Sequence, residues 1–334
     1  FDEAIKFFKK ALKISEKALG DEHPDVGAIY NNLALLYYDM GKYVDSLEFH
    51  IKSMEISEKV LGEEHPDTAK SYDNIAAVYN EISDDRALQY REKAIAIYEK
   101  IYGKEHPLTA ITYNNMGEVY RNKGEYTEAL KFYNMTLTIQ EKVLGKHTET
   151  ATTYNNIALI YGYIGDFDKA LDFHKKALAI DENVLGNTHP STVMTYNNIA
   201  SLCYEMGDFP TALEYYNEAL PVLESVLGQE HVDTATLYDN MGAINSKIGE
   251  HDKALDFHNK ALTIFIKVLG TEHHSVAAVY NNLGGAYYNL GDYNKSLDCW
   301  SKALALFEKS LGKEHPSTAI TRRNIAHLRK RLNL

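Results

Sequence analysis

The 334-residue chain holds only two cysteines, seven prolines and one tryptophan, and it has no excess of positive charge. Cys203 and Cys299 lie far apart and match no CxxC or zinc spacing, so neither a disulfide framework nor a metal site is expected. Without disulfides, a reducing, cytoplasmic setting is the expectation. No apolar run approaches the ~18–20 residues that span a bilayer, which argues against a membrane partner. The opening FDEAIKFFKK reads as an amphipathic helix rather than a signal peptide. Because the chain starts inside a helix without Met, it is expected to be part of a longer chain. Lys and Arg number 35 against 47 Asp and Glu, a net charge of −12, which sets the chain against nucleic acid. HExxH, a phosphate-cradling glycine loop and a nucleophile elbow are all missing. The expectation is a protein that is not an enzyme and needs no cofactor.

What the sequence does have is a period. A tyrosine recurs at Tyr30, Tyr72, Tyr113, Tyr154, Tyr196, Tyr238 and Tyr280, in steps of 42, 41, 41, 42, 42 and 42 residues, and Arg322 takes the next place. A repeat of this length signals stacked helical units, not a globular fold. Each unit reads as two helices. The first follows a His-Pro pair, as in His65-Pro66-Asp67, with Asp67 and Thr68 suited to the positive end of the helix dipole. It continues through Tyr72, Ile75, Ala76 and Tyr79, an i, i+3, i+4, i+7 stripe. A glycine-centred turn follows (Met40-Gly41-Lys42-Tyr43), then a second helix rich in Ala-Leu pairs that ends at Leu-Gly, as in Leu61-Gly62.

Small residues recur where helices must approach closely: Ala34, Ala76, Gly117, Ala158, Ala200, Gly242, Gly284 and Ala326. Large ones fill the gaps at Tyr37, Tyr79, Tyr120, Tyr161 and Tyr287. One hairpin cannot bury such a stripe alone, so stacking is required. Three irregularities stand out. Segment 81–87 loses a residue and its Gly-x-aromatic turn, and the connection at 145–148 loses a residue and its proline. Pro221 falls inside a second helix, where it should kink the helix at about 3 kcal/mol.

The runs Tyr30-Asn31-Asn32-Leu33-Ala34-Leu35-Leu36-Tyr37 and Leu61-Gly62-Glu63-Glu64-His65-Pro66, repeated along nearly the whole chain, resemble the long tetratricopeptide repeats of kinesin light chain and nephrocystin-3-like proteins. The resemblance implies an all-α fold, an α-solenoid in which helix-turn-helix hairpins of ~42 residues stack into a right-handed superhelix. The expected division is a leftover second helix over 1–20, seven full repeats over 24–315, and a terminal capping helix over 316–334. The coiled-coil heptads that would contact a motor heavy chain are absent.

The same resemblance implies that first helices line a concave groove for an extended peptide or partner protein. The residue after each opening tyrosine would then face that groove: Asn31, Asp73, Asn114, Asn155, Asn197, Asp239 and Asn281. Asparagine both donates and accepts, so a row of them can pair with a peptide backbone of any sequence. The following asparagine is present in every unit and is expected to bond a neighbouring helix. A second row comprises Tyr38, Asn80, Arg121, Tyr163, Tyr204 and Tyr288, either as interface anchors or as cover for the seam. Asp39, Glu81, Glu118 and Glu205 share that face, with few cations besides Arg121 and Lys247. Related grooves that grip a terminal carboxylate use a lysine missing here, so a neutral or basic peptide is expected.

Of the 14 histidines, His23, His65, His106, His147, His189, His231, His273 and His315 are one loop position repeated. Helix packing sets them roughly 10 Å or more apart, too far to share a metal with bonds of about 2 Å. His50, His174 and His258 share a second-helix position with Tyr133, Tyr216 and Trp300 and read as packing. A scaffold or adaptor is the reading favoured, with the sensor arm of a larger signalling enzyme as the alternative.

Overall fold

The computed structural model describes residues 1–333 and divides into two compact units, Phe1–Phe173 and His174–Leu334. In the first lie α1 (Asp2–Leu19), α2 (Pro24–Asp39), α3 (Tyr43–Leu61), α4 (Pro66–Glu81), α5 (Arg86–Tyr102), α6 (Pro107–Asn122), α7 (Tyr126–Val143) and α8 (Thr148–Tyr163). The division falls within α9 (Phe167–Val184). The second unit continues through α10 (Pro190–Met206), α11 (Phe209–Val226), α12 (Val232–Lys247), α13 (His251–Leu269), α14 (His274–Leu290), α15 (Tyr293–Ser310) and α16 (Pro316–Leu332). From α1 to α8 and again from α10 to α16, each helix packs on its neighbours in sequence, the stacked-hairpin arrangement of a solenoid, with no strand among the described residues. No helix is long and apolar enough to cross a membrane among the residues described.

The eight repeated histidines are helix caps. In each, Nδ1 accepts the backbone N–H two residues on, at 3.1–3.3 Å. This satisfies a donor that the first turn leaves unpaired, a task usually given to Ser, Thr or Asp. Thr68 is not a dipole residue in solvent: it is buried, and its hydroxyl donates to the Gly62 carbonyl at 2.8 Å. Thr109, Thr192, Thr234 and Thr318 make the same bond to the glycine six residues back, locking the inter-repeat loop.

The turn between paired helices needs a left-handed residue. Gly41, Gly124, Gly165, Gly207, Gly249 and Gly291 supply it, with φ between 69° and 87°. In the shortened segment Ser83 takes the position at φ 54°. Arg86 replaces the aromatic residue that opens other second helices, with its guanidinium 4.3 Å from the Tyr79 ring centroid and its Nε 2.9 Å from Asp84. Pro221 interrupts nothing visible: α11 runs through it with the ring exposed.

In the hairpins of the first unit, one aromatic ring of the second helix lies between two tyrosines of the first. Phe49 stacks against Tyr30 (5.9 Å) and Tyr37 (5.5 Å), and Phe132 against Tyr113 (6.1 Å) and Tyr120 (5.6 Å). Cys203 and Cys299 stand where this pattern places an aromatic ring, which accounts for their burial as free thiols. The small-residue positions answer the size of what faces them. A Cβ on Gly117 would stand 2.8 Å from the Tyr133 ring, and one on Gly242 would stand 2.7 Å from His258. At Gly284 the Trp300 indole would be closer still.

Neighbouring hairpins are tied by the opening tyrosines. Tyr30 donates to Glu16 (2.8 Å), Tyr72 to Glu58 (2.6 Å), Tyr113 to Glu99 (2.5 Å) and Tyr154 to Glu141; in the second unit Tyr196 donates to Glu182 (2.7 Å) and Tyr238 to Glu224. Arg322 keeps the register with Glu308 at 2.7 Å. Burial, then the adjacent carboxylate, pushes the Tyr30, Tyr154 and Tyr238 hydroxyls up to about 12, so they remain donors. The α13–α14 junction lacks this tie, because Ile266 holds the glutamate position opposite Tyr280.

Candidate functional site

The residues after the opening tyrosines form one row along the first helices of each unit, all half-buried. They are less free than a bare ladder. Asn31 Oδ1 accepts from Asn74 at 2.9 Å, Asn114 Oδ1 from Asn156 at 3.2 Å, and Asp239 from Asn282 at 3.1 Å. In these three places the second asparagine reaches back to the preceding repeat, as a buried polar group must find a partner. Asn281 Oδ1 accepts from Thr321 at 3.1 Å. Asn155 is also engaged. The amide nitrogens of Asn31, Asn114 and Asn281 donate to nothing among the described residues, so at these three positions the donor is free while the oxygen is occupied.

The floor beneath this row is the second-helix position 50, 91, 133, 174, 216, 258, 300. Arg91, buried, places Nη1 2.8 Å from Asp73 Oδ1, while Thr112 donates to the other oxygen at 3.1 Å. Burial pushes the Asp73 carboxyl up, against the pull of Arg91. His258 Nδ1 lies 2.6 Å from Asp239 Oδ1. Trp300 Nε1 donates to the Asn281 carbonyl at 3.0 Å. Arginine lies only beneath an Asp: the floor is Arg91 and His258 where the row has Asp, and His50, Tyr133, His174, Tyr216 and Trp300 where it has Asn. Arg91 was missed from sequence, although an arginine in a position otherwise aromatic was a visible signal. His50 and His174 are buried, and desolvation lowers both to about 4.

The second row is more deeply committed to the fold. Tyr38 donates to Glu81 at 3.1 Å and packs edge-on to Tyr43; burial, then Glu81, raises its hydroxyl to about 12. Asn80 accepts from Asn122 (3.2 Å), and Arg121 pairs with Glu118 (3.2 Å). Tyr204 lies 5.6 Å from Phe209, and Tyr288 lies 5.6 Å from Tyr293 while accepting from Arg331 at 3.1 Å. Tyr163 is out of line. Gly162 occupies the register position, and the exposed Tyr163 ring stacks on Tyr126 at 5.5 Å.

Among the described residues no three His, Cys, Asp or Glu side chains are grouped to hold a metal ion.

The tetratricopeptide repeat model matches in eight overlapping stretches: 1–44, 25–86, 83–142, 111–183, 149–225, 191–267, 233–292 and 275–333. No curated protein matches the sequence. Among solved structures, a putative kinesin light chain of nearly identical TPR-like repeats from Podospora anserina is 21% identical. That match covers 62% of this chain and 98% of the other, with a TM-score of 0.55. A Signal Transduction ATPase with Numerous Domains protein with a tetratricopeptide repeat sensor, from Pyrococcus horikoshii, is 18% identical over 92% of this chain and 45% of its own, with a TM-score of 0.71. The apo quorum sensor NprR from B. thuringiensis is 17% identical over 92% and 83%, with a TM-score of 0.67. At these identities the likeness is one of fold, and fold does not fix function. With the family model matched from end to end and hairpins like those of kinesin light chain-type structures, the chain belongs to the tetratricopeptide-repeat family.

Proposed function

We propose that the chain is a protein- or peptide-binding scaffold whose first-helix row receives an extended segment of its partner. The observation that carries this reading is the one-sidedness of the row. The amides of Asn31, Asn114 and Asn281 keep free donors while their oxygens are held by the next repeat. Donors fixed at repeat spacing suit the carbonyls of an extended backbone, which every sequence presents. Net charge of −12 and the acidic Asp39, Glu81, Glu118 and Glu205 favour a neutral or basic segment.

The test replaces Asn31, Asn114 and Asn281 together by aspartate. Each oxygen acceptor is kept for its partner and each free amide donor is lost; the chain already uses Asp at 73 and 239. Binding of an acetylated, uncharged nonapeptide library should fall at least about tenfold, as expected when the one or two donors within reach of a nine-residue segment become charged acceptors. Unchanged capture by the triple variant refutes the reading.

A second reading has its own support. The Pyrococcus horikoshii protein, whose printed description includes a tetratricopeptide repeat sensor, is covered by this chain over less than half its length. A sensor arm of a larger signalling enzyme would use the same row to hold its trigger, and flanking sequence encoding a nucleotide-binding domain would favour it.

A further inference from the structure

The crevice between a first helix, its own second helix and the next first helix recurs along the chain with very different capacity. Between α6, α7 and α8 it measures only about 10 Å³. The connection there is one residue short, and Thr153 donates to Gln140 across the gap at 2.7 Å. Between α2, α3 and α4 it measures about 270 Å³ and is lined by Ser53, Ser57, Lys70 and Ser71. Between α10, α11 and α12, all in the second unit, it opens to about 450 Å³ with Val193, Met194, Val222, Leu223, Val226 and Leu237 in its walls.

Two sequence features account for this opening. Leu223 and Leu237 stand where Gln140 and Thr153 bond, and leucines cannot close a gap that way. Pro221 removes one backbone hydrogen bond just before the walls at Val222 and Leu223.

The polar group in the wall is the telling one. At three other positions the second asparagine of the next repeat satisfies the row residue. Here the Tyr216 hydroxyl bonds Ser201 at 3.1 Å, and Asn197 Oδ1 is buried with no partner among the described residues. A cavity in the ~300–1,000 Å³ range of small-ligand sites, apolar and with one orphaned acceptor, matches a group that is apolar and brings one N–H. Asp233 is the single charged residue lining it, so an acidic group would meet repulsion and no cation. Met194, 59% exposed, is a flexible side chain that can adjust to the shape of an occupant.

We propose that this cavity anchors one aliphatic or phenylalanine side chain of an extended partner segment, whose backbone N–H donates to Asn197 Oδ1. This rests on the peptide-binding reading above and adds the side chain it selects.

The test labels methionine methyl groups and titrates the full chain with N-acetyl-leucinamide and N-acetyl-phenylalaninamide. The Met194 methyl signal should move saturably while Met54 and Met135, in the first unit, stay still. N-acetyl-N-methyl-leucinamide, which lacks the N–H at that nitrogen, should bind about tenfold more weakly. Thr236→Trp, from an exposed position on the rim, fills the space and should remove the Met194 response with the circular dichroism spectrum unchanged. In the nonapeptide library, an apolar residue at one position should improve binding about 10- to 100-fold. A Met194 signal that does not saturate, or responds as strongly to N-acetyl-glutamate amide, overturns the proposal. So does nonapeptide capture with no apolar preference, which would leave the scaffold reading standing. Loss of all nonapeptide binding in the wild type would remove both.

Discussion

Replacing Arg91 by tyrosine should destabilise the α4–α5 hairpin by about 3–5 kcal/mol, the range for breaking a buried ion pair by removing one partner. Arg91 is 5% exposed, and its guanidinium is 2.8 Å from Asp73. With it gone, Asp73 would keep only the Thr112 hydroxyl, while burial already pushes its carboxyl up. The carboxylate would have to ionise unpaired or take up a proton, and either route lowers stability. The chain holds its own control, because Asn197 sits above Tyr216 with Ala200 at the small-residue position. Asp73→Asn combined with Arg91→Tyr copies that solution over Ala76. The double variant should therefore recover most of the loss, to within about 1.5 kcal/mol of wild type. Repeat arrays need not unfold in one step, so amide hydrogen exchange over residues 66–102 is the suitable assay, supported by urea midpoints. A loss below about 1 kcal/mol for Arg91→Tyr, or no recovery in the double variant, would refute the matched-pair argument.

His50 predicts a pH dependence in the first unit. Its folded pKa, about 4, lies below the ordinary 6.5, so below pH 6.5 the unfolded chain takes up a proton that the folded one refuses. The stabilisation is complete above about pH 6.5 and is lost as pH falls toward 4, amounting to about 3 kcal/mol. Urea titrations of His50→Tyr should lack that component. Gly284→Ala should destabilise α14–α15 by about 1–3 kcal/mol in thermal melts, because the new methyl enters the Trp300 indole. Ser83→Gly relieves a left-handed serine and should raise stability by about 1 kcal/mol in the same measurement.

The hairpins were legible because each local signal agreed with the next: His-Pro starts, glycine stops and a helical apolar stripe. Every opening tyrosine was found, yet its purpose was not. The glutamate it bonds lies 13 or 14 residues earlier on another helix, and periodicity within one helix does not reveal it. The asparagine row was placed by analogy with a family, but the arrangement of its oxygens depends on the neighbouring repeat, as with Asn74 and Asn31. Tyr163 was assigned to the second row by residue type, whereas the register belongs to Gly162. The cavity at Asn197 had no sequence signature of its own. It arises from Leu223 and Leu237 together, each unremarkable alone.

The unbonded junction between α13 and α14 has a mechanical consequence. A tyrosine-to-carboxylate bond contributes about 1.5–3 kcal/mol, and where Ile266 faces Tyr280 that rivet is replaced by apolar contact. Apolar contact is non-directional, so α13 and α14 are held together by packing without the fixed register that a hydrogen bond imposes at the other junctions.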